Sequence, residues 1–332
     1  MKESNYFIIL LYLALLSCSK EIEIDLEKVE PRLVVRSEIT NKPDTVAPGP
    51  GTIFPQYIPA KLELGLSSSV TDDPTENIVD AKVVLKKNNF VYDTIYYNST
   101  KEYYELFETP DDLPEPGDDL SLEVIYNNEK VSSSAKMPSK VDIISIDTSI
   151  YYSHYIEGTG MFSEGTLTFQ DPGSEENYYE LMVCSSGLYN GELNPLRIKT
   201  DETFITGEKH YPSEINTNQY VFDQKSLLFT DKTFNGEKKS VRFYFIIGGY
   251  KHSNTIDFGH KTRIYLLRNV TKEYYMFKTS KRTYLLNSGE NFLMGASEPQ
   301  NVYTNIKDGL GSFGVYTHDQ EIYFFPKRTI QL

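Results

Sequence analysis

The sequence predicts an all-β fold, mainly strand with one or two short helices. Three observations carry that reading. The chain holds 26 Tyr and 18 Phe, and Tyr and Phe, with Thr, Ile and Val, suit a pleated, half-buried surface. Short runs with two-residue alternation recur between clusters of Pro, Gly, Asn and Asp, the pattern of strands joined by turns. Only residues 271–286 set apolar side chains at helical spacing.

The first strand is expected at residues 31–39. Residues 41–59, with five prolines and two glycines, read as an irregular excursion. Alternation resumes over 61–67, and Asp72-Asp73-Pro74 marks a turn. Strands follow at 81–86 and 90–97. Pro114, Pro116 and Gly117 make 111–119 a turn cluster, and 120–126 with 130–135 forms a hairpin around Asn127-Asn128. This spacing predicts an N-terminal β-sandwich of immunoglobulin or transthyretin type over residues 31–138, ending at Met137-Pro138-Ser139-Lys140. Residues 141–332 are expected to form a larger β-sandwich or partly open barrel, with strands at 141–146, 165–169, 178–185, 226–229, 239–249 and 263–268. In the helix at 271–286, Tyr274, Phe277, Tyr284 and Leu285 share a face and Thr271 stands near the N-cap. The chain then closes with residues 302–303, a Gly-rich turn, and strands at 313–317 and 321–325.

The amino terminus carries an address. Residues 7–16 are an unbroken apolar run. It is shorter than the ~20 residues that span a bilayer but has the length of a signal-peptide core. Leu15-Leu16-Ser17-Cys18 follows at its end and resembles the bacterial lipobox, in which the Cys thiol is diacylated and the chain is cut before it. Residues 1–17 are therefore expected to be a lipoprotein signal peptide and 18–30 a lipidated tether. A Lys followed by acidic residues, as in Ser19-Lys20-Glu21-Ile22-Glu23, resembles the surface-export signal of Bacteroidota lipoproteins. The net charge is −14, which excludes electrostatic attraction to nucleic acid or anionic headgroups. Attachment to outer-membrane lipid is thus expected through acylated Cys18. The only other cysteine, Cys184, lies in a strand-like run and is expected to pack as a small hydrophobe.

Residues that suggest chemistry are sparse, and no cofactor or metal is expected. Gly309, Gly311 and Gly314 match a G-x-G-x-x-G pattern, but a dinucleotide fingerprint requires a helix after it, and here a strand is expected. The glycines read instead as sites of positive φ or close backbone approach. His154, His210, His252, His260 and His318 are scattered without ligand spacing and are expected at the surface. Asp72-Asp73, Asp111-Asp112, Asp118-Asp119 and Glu175-Glu176 fall in turn-like segments, which suits solvated turns, weak Ca²⁺ ligation or a carboxylate pair for glycoside hydrolysis. Thr45 and Thr94 lie in Asp-Thr-aliphatic triplets that resemble Bacteroidota O-glycosylation sites.

Three segments together resemble one family. Phe169-Gln170-Asp171-Pro172-Gly173 with Asn177-Tyr178-Tyr179 is similar to its "F-x-D-P…N-Y-Y" element. Leu228 to Gly236, centred on Asp231, is similar to its "F-x-D-x-x-F-x-G" element. Glu298 to Gly314, with Asn305, is similar to its C-terminal signature, while Asn291-Phe292-Leu293-Met294 departs from the family's Asn-Pro-Phe. The resemblance is to the Bacteroidota outer-membrane lipoproteins known as domain of unknown function 4249. It implies an outer-membrane lipoprotein, commonly encoded beside a TonB-dependent transporter, and no catalytic residues; the acidic tether after Cys18 implies that it faces outward. Asp171, Pro172, Asn177, Asp231, Asn305 and the glycines then read as architectural, with Asn305 anchoring the last loop through its side chain.

Three functions follow as expectations. The first is a non-enzymatic accessory or ligand-binding partner of a TonB-dependent transporter. The second is a structural or adhesive surface lipoprotein, and the third a hydrolase using loop carboxylates.

Overall fold

The computed structural model describes residues 30–42, 60–68, 77–106, 113–148, 155–156, 160–186, 193–205, 225–246, 250–252, 255–257, 261–287, 301–325 and 329–331. The first strands are β1 (Leu33–Thr40), β2 (Ala60–Leu66), β3 (Lys82–Lys87), β4 (Phe90–Asn98), β5 (Tyr103–Glu105), β6 (Asp119–Tyr126), β7 (Glu129–Lys136) and β8 (Ile143–Asp147). Next come β9 (Tyr155–Ile156), β10 (Gly160–Gln170), β11 (Tyr178–Ser186), β12 (Leu193–Pro195), β13 (Ile198–Lys199), β14 (Leu227–Thr230) and β15 (Lys238–Ile246). The chain ends with β16 (Tyr250–His252), β17 (Thr255–Asp257), β18 (Lys261–Val270), the helix α1 (Lys272–Asn287), β19 (Leu310–Phe325) and β20 (Thr329–Gln331).

The protein is all-β. A twelve-stranded sheet runs β12-β11-β18-β19-β1-β2-β5-β4-β3-β6-β7, with β14 also paired to β11. A five-stranded sheet runs β13-β15-β10-β8, with β9 on β10, and β16, β17 and β20 form a third. The large sheet is mixed, because β1 pairs parallel to β19 and antiparallel to β2. No sheet closes into a barrel among the described residues.

Among the described residues two large hydrophobic cores form, with two smaller clusters. In the first, alternating residues of β1 to β7, such as Leu33, Val35, Leu62, Val83, Leu122 and Val131, meet Phe313 and Val315 of β19. The edge of β7 is covered by the segment before β19: Ser132 and Lys307 exchange backbone hydrogen bonds of 3.3 and 2.8 Å, and Ser133 Oγ donates to Asn305 O at 2.7 Å. The second core lies between β11 and β18 on one side and β8, β10 and β15 on the other, filled by Phe169, Tyr179, Phe229, Phe243, Phe245 and Tyr265. Segment 137–140 is fixed to both neighbours, since Ser139 O accepts from Asn269 Nδ2 at 2.9 Å and Thr317 Oγ1 at 2.8 Å.

The hairpin at Asn127-Asn128 has both residues at positive φ, 47° and 66°, as a tight two-residue turn requires. Elsewhere the structure departs from expectation in three ways. Residues 310–325 form one strand, so Gly311 and Gly314 sit inside β19 and not in a turn. The strands β5, β12, β13 and β20 are each three residues or fewer, too short to show a period. On α1, Tyr274 and Phe277 are buried but Tyr284 and Leu285 are exposed, so the apolar spacing marks a helix whose last turns leave the sheet.

Candidate functional site

The strands β11 and β18 lie inside the protein on both faces, and so read as continuous apolar runs without alternation. Buried charges interrupt these runs: Glu180, 1% exposed, in β11, and Arg263 and Arg268, 3% and 7% exposed, in β18. A charge so buried needs a partner, and for Glu180 the register supplies it. Glu180 stands opposite Arg268, and Arg268 Nη1 lies 3.1 Å from Glu180 Oε2.

Two more elements complete the cluster. From β1, Glu38 Oε2 lies 3.5 Å from Arg268 Nη1 and Glu38 Oε1 lies 3.4 Å from Lys278 Nζ. From α1, Lys278 Nζ also lies 4.0 Å from Glu180 Oε1. Tyr274, one turn before Lys278, donates its hydroxyl to Glu180 Oε2 at 3.0 Å, and the same hydroxyl lies 3.3 Å from Glu38 Oε1. The Arg268 guanidinium stacks 4.2 Å from the centre of the Tyr316 ring, a favourable cation–π geometry.

The charges balance, with two carboxylates facing two cations. Burial alone would raise the Glu38 carboxyl, but Lys278 and Arg268 outweigh it and hold it at about 2. Glu180 is likewise held below its usual value against its own burial by Lys278 and Arg268. Burial would lower Lys278, yet Glu38 and Glu180 raise it. Burial and both carboxylates push the Tyr274 hydroxyl well up. Every ionisable group is thus fixed in one protonation state near neutral pH, which suits a structural tie and not proton transfer.

Gly314 admits α1 to this face, because a Cβ there would fall 2.1 Å from Tyr274 Cδ2. Gly311 has a φ of 108°, and a Cβ on it would meet Val35 O at 1.9 Å. Gly309 O accepts from Arg32 Nη2 at 3.0 Å.

The motif carboxylates form a second network, far simpler in its partners. Asp171, 2% exposed, accepts from the Tyr179 hydroxyl and from Gly236 N at 2.7 Å. Asp231, 1% exposed, accepts from Asn177 N at 2.8 Å, and Asp231 N donates to Asn177 O at 3.2 Å. Pro172 continues the turn after Asp171, where its carbonyl accepts from Ser174 N. Burial raises the Asp231 carboxyl, and Asp171 adds to that. These residues join the two ends of β10 and β14 to the start of β11. Asn305 acts similarly at β19, as its side chain bonds both Phe313 O and Phe313 N at 2.9 Å.

The other candidates have plain placements. Asn88 Nδ2 donates to Asp118 Oδ1 at 2.8 Å, and Asp119 N to Asn88 Oδ1 at 2.9 Å. Glu175 accepts from Ser139 Oγ, and Glu176 lies 3.7 Å from Lys232. Thr94 is half-buried within β4, and its N donates to Asp93 Oδ1 at 2.6 Å. Cys184 is fully buried beside Met182, Ile264 and Leu266. His318 is 1% exposed, contrary to the surface expectation. It pairs opposite Arg268 on the covered face, and its Nδ1 lies 3.0 Å from Thr40 Oγ1. His252 lies in β16, with its side chain undescribed, while Cys18, Thr45, Asp72, Asp73, Asp111, Asp112, His154, His210, His260 and Asn291 to Met294 fall outside the described residues. Among the described residues no three His, Cys, Asp or Glu groups are placed to hold a metal ion.

Fold and site together define an all-β protein whose buried charges fasten strands and helix together. The chain belongs to the family described as Domain of unknown function (DUF4249), which matches residues 51–322. No curated protein matches the chain.

Proposed function

We propose that this protein is an outer-membrane lipoprotein, anchored through acylated Cys18 and facing the cell exterior, that serves a TonB-dependent transporter as a non-enzymatic accessory in nutrient uptake. The observation that carries the reading is Cys18 itself, placed directly after an apolar signal-like run. Its one potential competitor, Cys184, is fully buried in β11, so acylation has a single accessible target. The acidic tether and the family resemblance support an outward-facing partner of a transporter. The deeply buried carboxylates Glu180, Asp171 and Asp231 are committed to cations, a hydroxyl or backbone amides, which favours a binding role over hydrolysis.

The test is co-purification from native outer membranes of cells fed a fatty-acid analogue. The wild-type chain is expected to carry the label and to recover a TonB-dependent transporter, and Cys18→Ala to lose the label and leave the membrane. An unlabelled wild-type chain, or recovery of no transporter, would contradict the proposal.

A further inference from the structure

We infer that β1 is a mechanical clamp, built to carry load that enters the protein from its amino-terminal side. The inference rests on the anchoring role proposed for Cys18, since an anchor there delivers any pull on the protein to Leu33. The first described strand is not at a sheet edge. It lies within the twelve-stranded sheet, between β19 and β2.

The direction of pairing decides how such a load is borne. The strands β1 and β19 run parallel, in register from Val34 opposite Leu310 to Thr40 opposite Tyr316. A pull on the start of β1, resisted by the body of the protein through the far end of β19, acts along both strands. Ladder hydrogen bonds lie across the strands, so such a pull shears the whole ladder at once and cannot open it one pair at a time. The second ladder, from Leu33 opposite Leu66 to Ile39 opposite Ala60, holds β1 on its other side.

Both ends of β1 are fastened beyond the ladders. At its entry Arg32 N donates to Ser67 Oγ at 2.9 Å, Ser67 N donates to Arg32 O at 2.8 Å, and Arg32 Nη2 donates to Gly309 O at 3.0 Å. These bonds oppose peeling at the first pair. Further along, Glu38 is gripped by Arg268 of β18 and Lys278 of α1, and Thr40 meets His318 of β19. At the second pair of the ladder, Gly311 lets β19 approach Val35 more closely than any side chain would allow.

Force spectroscopy on the unacylated chain from Cys18 to Leu332 tests this. The chain is held by the natural Cys18 thiol and a thiol introduced by Leu332→Cys; buried Cys184 does not compete for attachment. A second set of molecules is held at Cys18 and at Ser68→Cys, which loads the open end of the β1–β2 ladder instead of its length. Forced unfolding reports the barrier along the pulling direction, so the first pair of handles is expected to need at least roughly twice the force of the second. Glu38→Gln is expected to lower the force only for the first pair. Equal forces in the two directions, or an early low-force step matching release of residues 18–40 under the first pair, would overturn the clamp. Because neither measurement uses lipid, failure here leaves the anchoring proposal standing, and absence of acylation in cells leaves the clamp standing.

Discussion

The protein satisfies its inward-facing carboxylates, three buried and Glu38 half-buried, in two ways, and the two differ in what they hold together. Glu38 and Glu180 are answered by Arg268 and Lys278, so that β1, β11, β18 and α1 meet at one point. Asp171 and Asp231 are answered by Tyr179, Gly236 N and Asn177 N, groups at the ends of strands already close to them. A cation on a long side chain reaches across elements far apart in the chain, and the cost of desolvating it is met only if several elements arrive together. A backbone amide at a strand end asks only for a short acceptor at the right turn. The first device gathers four elements at one point, and the second ties strand ends together in pairs, Asp171 to Gly236 and Asp231 to Asn177.

The largest expected effect comes from stripping the long-range group of its shared cation. In Arg268→Met the carboxylates of Glu180 and Glu38 keep only Lys278 near them, and removing one partner of a buried pair costs about 3–5 kcal/mol. Urea denaturation should show this as a lower midpoint, with Glu180→Gln in the same chain recovering part of it. A loss under about 1 kcal/mol would mean that solvent reaches the cluster and that the contrast drawn above is wrong.

Asp171→Ala should come next. It orphans the buried Tyr179 hydroxyl, at about 1–3 kcal/mol, and removes the acceptor of the exposed Gly236 N. Its effect should be local: near-ultraviolet signals from Tyr179 and its neighbours should change, while the Glu38 cluster stays intact. Strong coupling between Asp171→Ala and Arg268→Met in a double-mutant cycle would merge the two groups into one.

Acid separates them by sign. The Glu38 carboxyl is depressed to about 2, so its contribution is complete above the unfolded carboxylate value of about 4.3 and is lost as pH falls from there through about 2. The Asp231 carboxyl is raised, so its contribution is present below the unfolded value of about 3.9 and is lost as pH rises through the folded one. Glu38→Gln should therefore flatten the acid loss of stability, and Asp231→Asn should steepen it. Urea midpoints taken from neutral to acid pH measure both slopes, and matching slopes in the two variants would refute the assignment.

The smallest effect serves as a control. Glu123 on β6 is paired with Lys86 at 2.5 Å and Lys130 at 3.3 Å, in a partly exposed setting where such pairs are worth about 0–1 kcal/mol. Glu123→Gln should shift thermal stability little at low salt and not at all at high salt. A loss comparable to that of Arg268→Met would show that burial is not what distinguishes the cluster.

The contrast also explains what the sequence reveals. Asp171, Asn177, Asp231 and Asn305 lie close to their partners along the chain or within recognisable turn segments, and their short polar side chains beside Pro and Gly mark turns on their own. Most strands show their period, from Leu33–Thr40 to Glu129–Lys136. The parallel pairing of β1 with β19 has no such local trace, because Glu38 and Gly314 are brought together by the whole intervening fold. Glu180 and Arg268 did leave a signal. Each is a charge beside apolar residues in a buried strand, and such a charge demands a counter-ion even when the sequence does not say where it sits. The fully buried His318 gave none, since a lone histidine in a polar-looking stretch reads as surface until β19 is placed next to β18.

Native-state hydrogen exchange on the wild type, Glu38→Gln and Asp171→Ala tests most directly whether the charged cluster ties the amino-terminal strand to the rest of the protein. The account predicts that Glu38→Gln lowers protection of the β1 and α1 amides together while β10 and β15 keep theirs, and that Asp171→Ala does the reverse. Wild-type protection of β1 in Glu38→Gln, or an equal loss everywhere in both variants, would contradict it.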